Sequence, residues 1–136
     1  MATSIFKLGT KASTARFTGP AFVNTLVSDP GGVYNLAVHD VKFEPGARNN
    51  WHSHPQGQIL LCTGGVGYYQ ERGKPPRRLE KGDVVEIPPD AHHWHGAAPD
   101  SVFYHLGITP NANRGQTEWY GPVSYEEYRQ AAKPAF

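Results

Sequence analysis

One cysteine, one methionine, few charges and no long apolar run: these scarcities narrow the options before any motif is read. Cys62 is the only cysteine in 136 residues, so no intramolecular disulfide can form and an oxidising compartment is not indicated. The longest uninterrupted aliphatic stretch, Ile59–Cys62, is far too short to cross a bilayer. Charged residues make up 18%, too few for a coiled coil or a long solvated helix. The formal net charge is +1, and no basic stripe is present to track a phosphate backbone. Nucleic acid and membrane are therefore not expected partners. Acid is also missing from the first 28 residues, which carry Lys7, Lys11 and Arg16. That charge pattern is shared with transit peptides, but Phe17 and Ala21–Val23 read as opening strands of the domain itself. With no secretory apolar core, the expected location is cytoplasmic.

Gly and Pro, by contrast, are plentiful at 15 and 12 residues, and aromatics reach 12%. Such punctuation among β-branched and aromatic residues favours short strands joined by tight turns. A chain of this length makes one domain, spanning 1–136, with no linker and no internal repeat. Strands are expected near 15–18, 21–27, 33–43, 58–63, 66–72, 83–88 and 102–109. Separators such as Asp29-Pro30-Gly31-Gly32, Glu44-Pro45-Gly46 and Gly64-Gly65 supply the backbone angles that turns need. The spacing points to an all-β antiparallel sandwich or barrel. A single helix is expected near the end, where Ser124 and Glu127 form a capping-box pattern.

Histidine carries the chemical signal. All seven fall between residues 39 and 105. In a strand, residues two apart point the same way, about 6–7 Å from each other. His52 and His54 would then face one side together, and Gln58, Leu60 and Cys62 would share a face on the next strand. Two such imidazoles can converge on one ion at ~2.1 Å per bond, with a further nitrogen supplied from elsewhere. In the second cluster His93 and His95 share a face, and His92 takes the other and is expected at the surface. Cys62 is expected deep inside as an inert thiol. Trp51 and Trp94 flank these histidines and point away from them, towards packing between sheets or subunits.

From Gly46 to Ala97 the sequence resembles the cupin double motif. The first motif reads Gly46, His52, His54, Gln58 and Gly65, with every spacing kept (residues 46–65). The second reads Gly82, Pro88, Asp90 and His93 (residues 82–97), with Asp90 where glycine is usual and Ala97 where asparagine is common. The resemblance implies a small antiparallel β-barrel, the double-stranded β-helix or jelly roll, with a metal inside. The marked departure is Gln58 in place of the usual glutamate. With His52, His54 and His93 it would make a wholly neutral ligand set, and a divalent ion would keep its full +2 charge. That favours Lewis-acid chemistry on anionic partners and disfavours oxygenase chemistry.

A finer resemblance covers nearly the whole chain. Phe17-Thr18-Gly19, Phe43-Glu44-Pro45-Gly46-Ala47-Arg48, Trp51-His52, His54-Pro55, Gly57-Gln58, Gly82-Asp83-Val84-Val85, His93-Trp94-His95-Gly96-Ala97-Ala98-Pro99, Glu118-Trp119 and Val123-Ser124 with Glu126 and Tyr128 are similar to single-domain cupins that include manganese-dependent bacterial hydroxynitrile lyases. They are also similar to cupin modules found beside carboxymuconolactone decarboxylase domains. The resemblance implies one divalent ion per chain, most simply manganese with iron, nickel, cobalt or zinc as options, held by His52, His54, Gln58 and His93. It implies His95 and His105 in the pocket wall. The function this resemblance implies is a metal-dependent lyase on a small molecule, hydroxynitrile lyase-like with reversible cleavage of a cyanohydrin, and His105, His95 or His39 as the base that is not a ligand. The alternatives are a metal-dependent isomerase or lyase for a sugar-derived or unsaturated acid, and a metal-bound small-ligand sensor without turnover. His39 is expected on an apolar face with Val33, Ala37, Val41 and Phe43. An exposed N-terminal strand and the aromatics Trp51, Trp94 and Tyr104 suggest a homodimer or homotetramer.

Overall fold

A computed structural model describes residues 4–133, so the outermost residues of the expected 1–136 domain lie outside it. Twelve strands follow in chain order: β1 Thr10–Lys11, β2 Phe17–Thr18, β3 Ala21–Ser28, β4 Leu36–Phe43, β5 Arg48–Asn49, β6 His52–Ser53, β7 Gln58–Glu71, β8 Arg77–Glu80, β9 Val84–Ile87, β10 His93–Ala97, β11 Phe103–Pro110 and β12 Glu118–Trp119. Among the described residues one α-helix, α1, covers Tyr125–Ala132, and a short 3-10 turn covers Ala112–Arg114. Every recorded pairing is antiparallel, and the sheet curls through the order β1-β3-β4-β11-β7-β10-β5-β2. Phe43, Leu60, Leu79 and Phe103 have no exposed surface and fill the interior.

The long strand β7 is the hinge of this arrangement. Sequence punctuation at Gly64-Gly65 predicts two strands, 58–63 and 66–72; the structure runs them together. Its first half pairs with β9 and β11, its second with β8 and β10. Between the halves, His105 pairs with Cys62 while Tyr104 pairs with Gly64, so Thr63 is an extra residue in a bulge. Gly65 sits at φ +72°, and a Cβ there would lie 1.8 Å from the Val102 carbonyl oxygen. The glycines therefore serve a bent strand and a close backbone approach instead of a turn.

The other strand correction lies at 33–43. The segment 29–35 is a loop, closed by Asp29 Oδ2 accepting from the Tyr34 N–H (2.9 Å) and Asn35 Oδ1 from the Gly31 N–H (2.7 Å). Val33 is 94% exposed and shares no face with His39. The short strands β1, β5, β6, β8, β10 and β12 were not among those expected; two to five residues are too few to show alternation.

The capping box is present in both directions: Glu127 N–H donates to Ser124 Oγ (3.1 Å), and Ser124 N–H to Glu127 Oε1 (2.9 Å). The helix lies on a second apolar cluster of Trp51, Tyr68, Trp94, Val123, Tyr128 and Ala131. Tyr128 Oη donates to the Ala97 carbonyl (2.7 Å), tying α1 to β10. Buried Arg48 adds a second tie: its guanidinium donates to the Val123 carbonyl and lies 4.5 Å over the Tyr128 ring. Trp51 and Trp94 are thus covered by the chain's own helix, and Tyr104 is also buried, so none of the three offers a free aromatic face. What is outward-facing at the N-terminus is the edge strand β1.

The bulge generates a paired expectation. Gly65→Ala and Gly73→Ala both place a side chain at positive φ, but nothing lies within 4 Å of a Cβ at Gly73. Gly73→Ala is expected to cost about 1–2 kcal/mol of unfolding free energy, and Gly65→Ala at least about 2 kcal/mol more. Urea denaturation measures both; equal costs would show that the approach to Val102 is not what requires glycine.

Candidate metal centre and cavity

The histidines come together through strand pairing. β10 lies between β6 and β7, and His93 pairs directly with His52 on one side and with Glu71 on the other. The His52 and His93 rings are 4.2 Å apart, centroid to centroid. His54 follows β6 and enters a turn, with its ring 5.1 Å from His52 and 5.4 Å from His93. His95 projects from the same face of β10 as His93, the two rings parallel within 16° at 5.8 Å. His105 enters from β11 just past the bulge, 4.7 Å from the His95 ring. All five are buried. His92 is exposed, as its opposite parity predicts, and stacks on Tyr120.

Of these rings, His52, His93 and His95 can each bring one nitrogen within 4.8 Å of the others. Hydrogen bonding then separates the rings with a spare lone pair from those without. A neutral imidazole has one N–H and one lone pair. His52 Nδ1 is 2.7 Å from the Asn50 carbonyl, and His93 Nδ1 is 2.9 Å from the Ala91 carbonyl. A carbonyl only accepts, so both Nδ1 atoms carry the proton and both Nε2 atoms keep the lone pair. His54 Nδ1 meets Thr117 Oγ1 at 3.0 Å. The Nε2 atoms of His54 and His93 are buried with no partner. An orphaned buried lone pair is costly unless something outside the protein's own groups satisfies it.

His95 differs. Asn49 Oδ1 accepts from the His95 backbone N–H (2.9 Å), which fixes the amide and turns its Nδ2 donor onto the His95 ring at 3.2–3.3 Å. The ring's lone pair is thus occupied, and its Nδ1 lies 3.2 Å from His105 Nε2. Gln58 is oriented by the same logic. Its Nε2 donates to Thr109 Oγ1 (3.2 Å), which leaves Oε1 as a free neutral acceptor. The donor set that fits a divalent ion is therefore the Nε2 atoms of His52 and His93, the amide oxygen of Gln58, and the buried Nε2 of His54 in the tautomer whose Nδ1–H donates to Thr117. The backbone and hydroxyl partners on Nδ1 are the outer contacts that orient metal-binding imidazoles.

Burial holds these rings neutral. Desolvation is the largest cause throughout, because a charged imidazolium loses its water there. It pushes His52 and His95 well below the usual imidazole range. Burial and the neighbouring His93 lower His54 to about 4, with Gln58 offsetting part of the effect. Burial lowers His93 and His105 to about 4. His39, half-buried, is lowered by the same cause. Cys62 is buried among Leu60 and its neighbours and pushed up to about 11, which keeps it a thiol.

A cavity of about 310 Å³ opens onto this cluster. Five imidazoles line it (His39, His52, His54, His95 and His105), with Gln58 and Gly107 beside them. His93 lies behind the wall, fully buried. A Cβ at Gly107 would meet Gln58 Nε2 at 3.5 Å and His105 Cε1 at 3.6 Å, so the bare glycine leaves that space open, as its place beside His105 implies. The mouth carries residues the histidine pattern did not reveal: Arg16, Phe17, Thr117 and Trp119. Trp119 stacks on His52 at 4.8 Å. Sequence spacing had no access to them, because they come from opposite ends of the chain. Phe17-Thr18-Gly19 and Glu118-Trp119 in the finer resemblance are the signals that reach this mouth; nothing singles out Arg16 or Thr117.

Comparison with known proteins agrees with this geometry. A family model for the cupin domain matches residues 39–104. The (R)-mandelonitrile lyase of Granulicella tundricola is 40% identical over 114 residues, covering 84% of this chain and 86% of that protein. Among solved structures, a cupin-like protein from Thermotoga maritima superposes with a TM-score of 0.92 at 58% identity, covering 95% of this chain and 97% of that one. The DMSP lyase DddQ from Ruegeria pomeroyi superposes with a TM-score of 0.65 at 25% identity, covering 80% of this chain and 54% of that one. With its curled antiparallel barrel and short C-terminal helix, the chain belongs to the cupin family.

Proposed function

We infer that this protein is a metal-dependent lyase that reversibly cleaves a cyanohydrin or a closely related small hydroxy compound. The observation that carries the reading is the division of the buried histidines into two sets. His52 and His93 keep Nε2 lone pairs for an ion and His54 has a buried, unpartnered Nε2 beside them, whereas His95 and His105 are hydrogen-bonded to each other. A lyase needs both an electrophile and a separate proton carrier; a sensor needs only the first. The similarity to a mandelonitrile lyase supports the cyanohydrin as substrate.

His52, His54, His93 and Gln58 would hold a divalent ion, manganese by family resemblance, and iron, cobalt, nickel or zinc on donor chemistry. Bound there, the ion supplies Lewis acidity with its +2 charge undiminished by any carboxylate ligand. The protein's own groups do the rest. The cavity wall would position the substrate hydroxyl near His95 and His105. The unpartnered Nδ1 of His105 and its Nε2 contact to His95 make this pair a carrier for one proton. The hydroxyl proton passes to an imidazole as the oxygen becomes a carbonyl. The C–C bond to the nitrile carbon breaks, its electron pair leaves with cyanide, and the imidazole returns the proton to give hydrogen cyanide. His39, on the same wall, is the remaining spare imidazole.

Three outcomes test this reading. Protein purified without added metal is expected to hold about one divalent ion per chain, and the His52→Ala, His54→Ala double variant to hold none by elemental analysis. Full occupancy in that variant would remove the ligand assignment.

His105→Ala is expected to cut cyanohydrin turnover by about 10²–10⁴ while leaving the metal bound. Burial sets His105 near 4, so activity in the parent protein should persist through pH 6.5 and fall only as pH drops towards 4 and the base is protonated. Turnover surviving the substitution within a few-fold would pass the role to His95.

Gln58→Glu is expected to retain metal and weaken inhibition by a metal-directed anion such as azide, because a carboxylate cancels one unit of charge at the ion. An unchanged inhibition constant would make the neutral ligand set incidental.

A further inference from the structure

The cavity wall mixes polar groups with Phe17, Val23, Val41 and Trp119 and carries a single permanent charge. Of its 15 lining residues none is Asp or Glu, and Arg16 is the one residue bearing a full charge at neutral pH. Among the described residues the Arg16 guanidinium makes no ion pair. It lies 5.2 Å from the centroid of the Trp119 ring, and that ring in turn stacks on His52 at 4.8 Å. The nearest acid along β12, Glu118, accepts a hydrogen bond from Tyr120 Oη (3.0 Å). The arginine backbone is fixed as well: its carbonyl accepts from the Asn50 N–H (2.8 Å), two residues before His52. The guanidinium is thus anchored at the rim with its donors free, one aromatic ring away from the histidine cluster.

We propose that Arg16 is the carboxylate-recognition residue of this cavity, and that the substrates it takes are small anions: a carbonyl or hydroxyl at the histidines, joined by a short spacer to a carboxylate at the guanidinium. Arginine suits the role because its planar donor fork pairs with both oxygens of a carboxylate, and stacking on Trp119 pre-orders it at small entropic cost. The absence of any acid in the wall means that such a substrate meets no opposing charge. The carbonyl end of this assignment rests on the lyase reading above; the carboxylate end does not.

Two aldehydes of one shape separate the charge effect from the rest: 4-carboxybenzaldehyde and 4-formylbenzamide, titrated calorimetrically into the metal-loaded protein. The carboxylate is expected to bind about fivefold or more tightly than the amide. Arg16→Gln is expected to bring that ratio to within about twofold, and Arg16→Lys to retain part of it, since a lysine keeps the charge but not the fork. A ratio that survives Arg16→Gln, or equal binding of both compounds by the parent protein, would overturn the proposal. Failure of the lyase reading shows itself separately, as charge discrimination that depends on Arg16 without any cyanide-dependent turnover of either aldehyde.

Discussion

The site depends on where one proton sits on each imidazole. Three rings have Nδ1 against an oxygen: the backbone carbonyls facing His52 and His93 decide that Nε2 is left as the lone pair, and the Thr117 hydroxyl, which can accept, permits the same in His54. Two of those oxygens, the carbonyls of Asn50 and Ala91, stand two residues before the histidine they orient. The short strand after each carbonyl therefore sets both the place of the ring and its tautomer. Pairing of His52 with His93 across β6 and β10 then brings two such lone pairs together. Without those contacts the same histidines could rotate or exchange tautomers, and no fixed donor set would exist.

Keeping these rings neutral is the second condition. Transferring an imidazolium into this interior would cost more than transferring a neutral ring, and burial is the largest cause lowering every one of the clustered histidines, with neighbouring imidazoles adding to it. The consequence is a site that competes weakly for protons at neutral pH and so keeps its lone pairs available to a metal. Gln58 continues the same logic, offering an amide oxygen where a carboxylate would add charge. The wall then has hydrogen-bonding capacity without a formal charge of its own, apart from Arg16 at the rim.

Much of this was legible because a strand has period two and a motif has fixed spacing. The shared faces of Gln58, Leu60 and Cys62 and of His93 and His95 follow from alternation, and the capping box around α1 follows from two residues. What escaped is what alternation cannot see. Gly64-Gly65 reads as a turn in any sequence, yet here glycine permits β7 to pass close to β11 and bend from one half of the sheet to the other. Val33 continues a plausible strand, but Asp29 and Asn35 side chains close a loop before it can begin. Asp90 stands at φ +65°, which accounts for the glycine usual at that motif position: aspartate is among the few residues that tolerate it.

The residues at the cavity mouth were the least legible, and the reason lies in topology. β2 joins the sheet at one end through β5, and β12 joins through β6; their partners are consecutive short strands on either side of Trp51. Segments about a hundred residues apart in sequence thus meet at Arg16 and Trp119 because β5 and β6 already lie end to end along one edge of β10. The histidines come from the central strands, whose order the fold dictates. The rim comes from two edge segments, each held by a two-residue ladder. On the proposed reading, binding of an ion and transfer of a proton would both fall to the core of the barrel. The choice of substrate would fall to its edges, where a substitution can alter the mouth without disturbing the pairing of His52 with His93.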